Sequence, residues 1–280
     1  MSEIQGHARK MLAENDDPVA YTMRLDDARV PMNELIGKRV ALSFTGNIHC
    51  QNCGRKTKKS YSQGYCFPCS QRLAACDMCI VRPHTCHFDA GTCREPDWGL
   101  KHCFQDHFVY VSNTSGLKVG ITRQDQLPTR WIDQGATQAL PIFRTRSRHV
   151  AGMLEKAIGA HVSDRTDWRR MLKGDADDRE LCAERDRLLG LAADDIASVQ
   201  EQFAGRFDGE APFVALQDDT VSLRYPVSAW PEKVKAHNLD KQPQVDATLV
   251  GIKGQYLIFD DGVLNVRKYT AYELALSTSV

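Results

Sequence analysis

The sequence predicts an α+β protein assembled from several small modules. Three observations carry this reading. Strand-like alternation of apolar and polar residues fills both ends of the chain, nine of the ten cysteines fall between positions 50 and 103, and helical periodicity is confined to 149–162 and 176–207. A length of 280 residues fits about two domains, or more if some are small. With 42% hydrophobic and 26% charged residues the composition is that of an ordinary folded protein, not a disordered chain. The organisation reads as a β-rich N-terminal segment 1–47, a cysteine-rich zinc module 48–107, a core 108–172, an acidic helical segment 173–210 and a β-rich C-terminal domain 211–280.

In order along the chain, residues 18–47 alternate in short stretches broken by Asp, Pro and Gly, which predicts two or three strands. The N-terminus MSEIQGHARKMLAENDD lacks the apolar stretch of a secretion signal, and apolar runs such as that within HFVYV are too short to span a bilayer. A cytoplasmic location with no membrane partner is expected, and there ten cysteines are reduced thiols or metal ligands rather than disulfides.

Cys50 and Cys53 form one CxxC knuckle and Cys66 and Cys69 a second, with 12 residues between them. Two such knuckles suit a tetrahedral Zn2+ held by four thiolates, as in a zinc ribbon. Gly54 and Gly64 suit the turns. A third knuckle, Cys76 and Cys79, is followed by Cys86, His87, Cys93, His102, Cys103 and His107. The favoured second Zn2+ site takes Cys76 and Cys79 with two of Cys86, Cys93 and Cys103, a histidine being able to replace one. Closed sites of this kind are structural and substitute for a core that about 60 residues cannot build. The Arg55-Lys56-Thr57-Lys58-Lys59 run suits phosphate contacts or a solvated loop, and Cys182 reads as a small core residue.

Zero net charge conceals an uneven distribution. Residues 48–107 hold eight basic and five acidic groups, residues 108–172 ten and five, and residues 173–210 five and eleven. A basic middle can steer a polyanion such as DNA or RNA even when the total is neutral, or it is a solvated surface with a chance asymmetry; charge alone leaves both open. In that middle, 107–122 reads as two strands joined by the turn Asn113-Thr114-Ser115-Gly116. Residues 149–162 place Val150, Met153, Leu154, Ala157, Ile158 and His161 on one helical stripe, with Glu155 beside it. The segment 176–207 reads as a longer helix that Gly190 can break, and Asp261-Gly262 between apolar runs predicts a hairpin. The β-rich ends form two small domains or pair into one.

Residues Phe108-Val109-Tyr110 followed by Lys118-Val119-Gly120 resemble the paired strands of the GIY-YIG nuclease superfamily. The likeness covers about 65 residues. Tyr110 falls at its first tyrosine, Gly120 at its second glycine, Arg130 at its helix arginine and Glu155 at its metal-binding glutamate, with a His161-to-Trp168 tail like that of some divergent members. Lys118 stands where the family has its second tyrosine, and Gln134 where many members carry histidine or tyrosine. The order cysteine module, LKVGITR, PTRWIDQGA, RTDWRRML, GIKGQYL is similar to a bacterial family described as of unknown function. The superfamily resemblance implies a small three-stranded antiparallel sheet with helices and phosphodiester hydrolysis. Glu155 would hold Mg2+ or Mn2+, Arg130 would stabilise the charged phosphorane, and Tyr110 would orient or deprotonate water, with Lys118 at phosphate. Arg123, Arg144, Arg146 and Arg148 would supply backbone contacts. Three readings stay open: a divalent-metal-dependent nuclease, a nucleic-acid-binding protein on a degenerate core, and a zinc-stabilised protein-interaction scaffold. In the last, Arg130 and Glu155 are a structural ion pair and Trp131 and Trp168 core anchors.

Overall fold

The computed structural model describes residues 3–162 and 167–278; the stretch 163–166, inside the His161-to-Trp168 tail, lies outside the described residues. The chain is a mixed α+β structure with antiparallel sheets. The N-terminal strands are β1 (Glu3–His7), β2 (Leu12–Glu14), β3 (Ala20–Leu25), β4 (Ala28–Pro31) and β5 (Arg39–Ile48). The cysteine region holds short helices α1 (Phe67–Arg72), α2 (Met78–Val81) and α3 (Pro96–Cys103). Next come β6 (His107–Asn113), β7 (Leu117–Arg123), α4 (Thr129–Asp133), β8 (Gln138–Thr145) and α5 (Arg148–Gly159). They are followed by α6 (Trp168–Met171), α7 (Leu181–Leu191) and α8 (Ala193–Gln202). Strands β9 (Phe213–Ala215), β10 (Val221–Ser222), β11 (Gln244–Lys253), β12 (Tyr256–Phe259), β13 (Gly262–Asn265) and β14 (Tyr272–Thr278) complete the fold.

The two β-rich ends share a sheet. Its order is β1-β14-β5-β11-β12-β13, so the N-terminal β5 lies between β14 and β11, antiparallel to both. Strict alternation marks the strands that cover the core: in β3, Tyr21, Met23 and Leu25 point inward while Ala20, Thr22 and Arg24 are partly exposed. The predicted hairpin is β12–β13, turning at Asp260-Asp261.

A second sheet places β6 between β7 and β8, with β9 and β10 along the far edge of β8. Period-two alternation gives β6 two faces. Val109 and Val111 pack with Val150, Leu154 and Ile158 of α5 and with Leu181, Leu188 and Val199 of α7 and α8. Tyr110 points the other way, into a core shared with Trp131, Ala139, Met11, Tyr21, Leu257 and Tyr269. That second face is therefore closed by the terminal β-layers.

The acidic 173–210 segment departs from a single helix. The chain breaks at Ala192 rather than at Gly190, which stays inside α7. Ala192 is buried, and Asp194 and Asp195 follow it in the first turn of α8, where carboxylates favour a helix start. Cys182 is exposed and not a core residue, because the buried line of α7 runs through Leu181, Arg185 and Leu188. No described helix is long and apolar enough to cross a membrane.

The modules meet at Asp133, the last residue of α4. Its side chain is 3% exposed and accepts from Lys10 Nζ at 2.5 Å and from Gln255 Nε2 at 2.9 Å. Gln255 in turn accepts from the Met11 amide (2.9 Å) and donates to the Met11 carbonyl (3.2 Å). The turn before it requires Gly254: φ is +62°, and an added Cβ would stand 3.1 Å from the Asp133 carbonyl oxygen. Removing the carboxylate strands one buried amide and one ammonium that is two-thirds covered. Asp133→Ala is expected to cost about 3 kcal/mol, read as a lower denaturant midpoint, whereas Asp125→Ala on an exposed turn changes it little.

Candidate functional site

The first cysteine centre is built by two knuckles under the end of β5. Gly54, in the left-handed region at φ +67°, returns its amide to the Cys50 carbonyl at 2.8 Å and closes the first turn. The second turn is set by the Tyr61–Tyr65 bridge, from which Cys66 leads into α1. The sulfurs of Cys50, Cys53, Cys66 and Cys69 all lie within 4.8 Å of one another, and Cys53 and Cys66 are 3.7 Å apart. A tetrahedron with 2.3 Å metal–sulfur arms has edges of about 3.8 Å. No pair is a disulfide. Burial works against ionising Cys50, but the amides of Cys66, Cys53 and Asn52 outweigh it and bring the thiol down to about 6. Four sulfurs so placed can hold a structural metal ion such as zinc. Arg55, Lys56, Lys58 and Lys59 are exposed around this centre.

The later cysteines divide differently from the sequence spacing. Cys79, Cys86, Cys93 and Cys103 line one small cavity, while Cys76 stands beside the Ser62 hydroxyl and within the field of Cys50. His102 stacks on Trp98 and directs Nδ1 at the Trp98 carbonyl oxygen, 2.9 Å away. His107 is fully buried in β6, its Nδ1 donating to the Gln105 carbonyl at 2.7 Å.

The residues of the charged core come from β6, α4, α5 and the 3-10 turn Val266–Tyr269. Tyr110 lies opposite Gly120 in the β6–β7 ladder, and a Cβ on Gly120 would stand 2.6 Å from the phenol oxygen. The glycine is therefore the floor on which the phenol rests. Tyr110 Oη donates to Gln134 Oε1 at 2.9 Å and is fully buried. Burial pushes its acidity below that of an ordinary tyrosine; the Arg130 guanidinium, close enough to hydrogen-bond it, pulls the other way, and the Glu155 charge adds to the rise. Arg130, Glu155 and Lys118 are half-buried. Arg148 at the start of α5 feels both Glu155 and Arg130, and Arg267 feels Arg130 and Asp133. Burial lowers the pKa of both guanidinia, which nevertheless remain cationic at neutral pH.

The arginines assigned to backbone contacts are engaged within the chain. Arg123 pairs with Asp125 at 3.1 Å, Arg144 and Arg146 approach Asp106 at 3.9 Å, and Arg146 also pairs with Glu210. Arg148 is half-buried and donates to the Ile80 carbonyl at 2.7 Å, so it ties α5 to the cysteine region. Trp131 is 4% exposed in the core; Trp168 stacks on Tyr256 with ring centroids 5.8 Å apart.

Sequence reasoning overlooked Asp133, Gln255, Arg267 and Lys253. Lys253 is fully buried, donates to Asp175 at 2.8 Å and lies 5.2 and 5.0 Å from the Tyr225 and Trp230 ring centroids. The available signal was the polar triplet Lys253-Gly254-Gln255 between two apolar runs, a turn with too much hydrogen-bonding capacity for a bare hairpin end.

The model of a family described as "protein of unknown function (DUF2797)" matches residues 37–274. No curated protein and no solved structure matches the chain.

His107 gives the core a pH dependence. Burial holds its imidazole neutral, with the pKa lowered from 6.5 to about 4. Between those values the unfolded chain binds the proton and the folded chain does not, so stability falls as pH drops through this window. The loss attributable to His107 is on the order of 2–3 kcal/mol, and His107→Gln is expected to flatten that limb of a stability–pH curve.

Proposed function

We propose that this chain, which belongs to that family of unknown function, is a zinc-containing nucleic-acid-processing protein whose GIY-YIG-like core is a divalent-metal-dependent nuclease acting on DNA or RNA. Zinc at the Cys50, Cys53, Cys66 and Cys69 centre is structural in this reading, since four thiolates leave no open position for chemistry. The reading is carried by one observation: Arg130 from α4 stands at the Tyr110 phenol of β6, within the field of Glu155 from α5. Those are the residues the resemblance singles out, and they meet on an antiparallel sheet whose central strand is β6.

Glu155 lies in the field of Arg148 and of the Tyr110 phenol, and its carboxylate oxygen is the type of ligand a hard cation takes while completing its shell with water and substrate phosphate. Bound Mg2+ or Mn2+ would supply charge neutralisation at the scissile phosphate. Arg130 presents its fork of donors to the same charge. Tyr110 acts as a positioning residue: its phenol is buried, held by Gln134 and harder to ionise than a free phenol, so it orients Arg130 and does not take the proton from water. Lys118, in the second tyrosine position, contributes charge to the phosphate.

The buried Tyr110 favours a second reading, a nucleic-acid-binding protein on a core that no longer cleaves. Purified wild type and Glu155→Gln are compared on labelled single-stranded and duplex DNA and RNA, with and without Mg2+ or Mn2+ at low salt. Cleavage by wild type that falls by about 100-fold or more in Glu155→Gln is the expected result. Salt-sensitive binding by both proteins without cleavage selects the second reading, and neither binding nor cleavage selects the protein-interaction scaffold.

A further inference from the structure

The segment from Cys76 to Asp106 lacks the means to hold itself together. It contributes nothing to the main buried clusters, and Met78, Val81, Leu100 and Phe104 are exposed. Its regular structure is limited to the short helices α2 and α3 and single turns, which are unstable without tertiary support. Yet its position is tightly specified. Gly152 of α5 packs so closely on the turn Pro83–Thr85 that an added Cβ would stand 2.4 Å from Pro83 Cβ, and Arg148 holds the Ile80 carbonyl. Something other than an apolar core fixes this segment.

Inside it, Cys79, Cys86, Cys93 and Cys103 converge from α2, two loops and the end of α3 on a cavity of about 20 Å³, walled on its other sides by groups such as Phe88 and Trp98. Space of that size holds one water-sized occupant. All four are unpaired thiols. Unlike the first quartet they rim the cavity and are not gathered within 4.8 Å, so they close on an occupant by side-chain rotation.

We propose that Cys79, Cys86, Cys93 and Cys103 form a second four-thiolate site for a single structural Zn2+, with Cys76 outside it. Thiolate ligands select zinc over the hard divalent cations, and the single-ion cavity selects a mononuclear centre over an iron–sulfur cluster. The competing set in the same place is Asp77, Cys79 and His87, whose ligand atoms lie within 4.8 Å. Those partners are already engaged with one another: Asp77 pairs with Arg94 at 2.6 Å and caps the Cys79 amide, and His87 is held at Nδ1 by the Thr92 hydroxyl (2.8 Å) and at Nε2 by Asp77 (3.4 Å). The site sits beneath the N-terminal half of α5 and fixes the helix that carries Glu155. It does not depend on the nuclease reading.

The test is the metal content of the purified full-length chain and its variants. Wild type is expected to carry two zinc ions per chain. Cys86→Ser and Cys103→Ser each retain one, as does Cys53→Ser at the first centre, while Cys76→Ser retains both. Alkylation of native wild type, mapped by mass spectrometry, serves where a variant does not fold: Cys79, Cys86, Cys93 and Cys103 react only after chelation, and Cys76 and Cys182 react before it. One zinc in wild type, full occupancy in Cys103→Ser, metal loss in Cys76→Ser, iron in place of zinc, or loss in Asp77→Asn and His87→Ala with Cys86→Ser unaffected would each overturn the assignment.

Discussion

The Asp133 carboxylate is the constraint on which the arrangement of the modules depends. It ends the helix that carries Arg130, and its partners come from the N-terminal strands through Lys10 and from the β11–β12 turn through Gln255. Nearly excluded from water, it is satisfied only when all three segments are in register. The buried Lys253, paired with the exposed Asp175, adds a second polar contact from the same turn to the chain beyond α6. Polar links of this kind specify geometry more than they stabilise it, because desolvation offsets much of their attraction. The apolar core around Met11, Tyr21, Leu257 and Tyr269 supplies the bulk of the driving force.

That arrangement explains the environment of Tyr110. A small three-stranded sheet standing alone leaves one face open once a helix covers the other. Here α5 covers one face and the terminal β-layers cover the other, so the phenol becomes a core group with a polar end. Its hydroxyl is satisfied by Gln134. An amide acceptor suits a protonated phenol, and Gly120 opposite leaves room for the ring alone. Arg130 and Glu155 keep partial exposure because they lie toward the margin of this buried patch.

Much of the local structure was legible in the sequence, and the reason is periodicity. The strands β3 to β7, helix α5 and the β12–β13 hairpin follow patterns of two or 3.6 residues that a single segment can display. The first cysteine cluster was equally legible, because each knuckle is a local turn. The grouping of the later cysteines was less so: Cys76 and Cys79 have knuckle spacing, but α2 begins between them, and Cys79 lines a cavity with Cys86, Cys93 and Cys103. Cys182 read as buried because cysteine usually is, whereas helix phase put it outside. The tie from Arg148 to the Ile80 carbonyl was not legible, because its partner lies nearly seventy residues earlier. Whether the two β-rich ends pair into one sheet or form two small domains stayed open in the sequence, since strand partners are chosen by tertiary context.

The position of β5 between β14 and β11 carries a consequence for how the protein is made. Residues 39–48 emerge early from the ribosome, but both neighbouring strands follow about 200 residues later, which at ordinary synthesis rates is roughly 10–40 s. Through that interval β5 offers two unpaired edges and its apolar residues Val40 and Leu42 to any other chain. The middle of the protein, whose sheet and α5 are contiguous in sequence, can fold meanwhile and hold Asp133 ready. Strands β11 and β14 then close over a surface already formed, so segments made much later decide whether β5 is safe from aggregation.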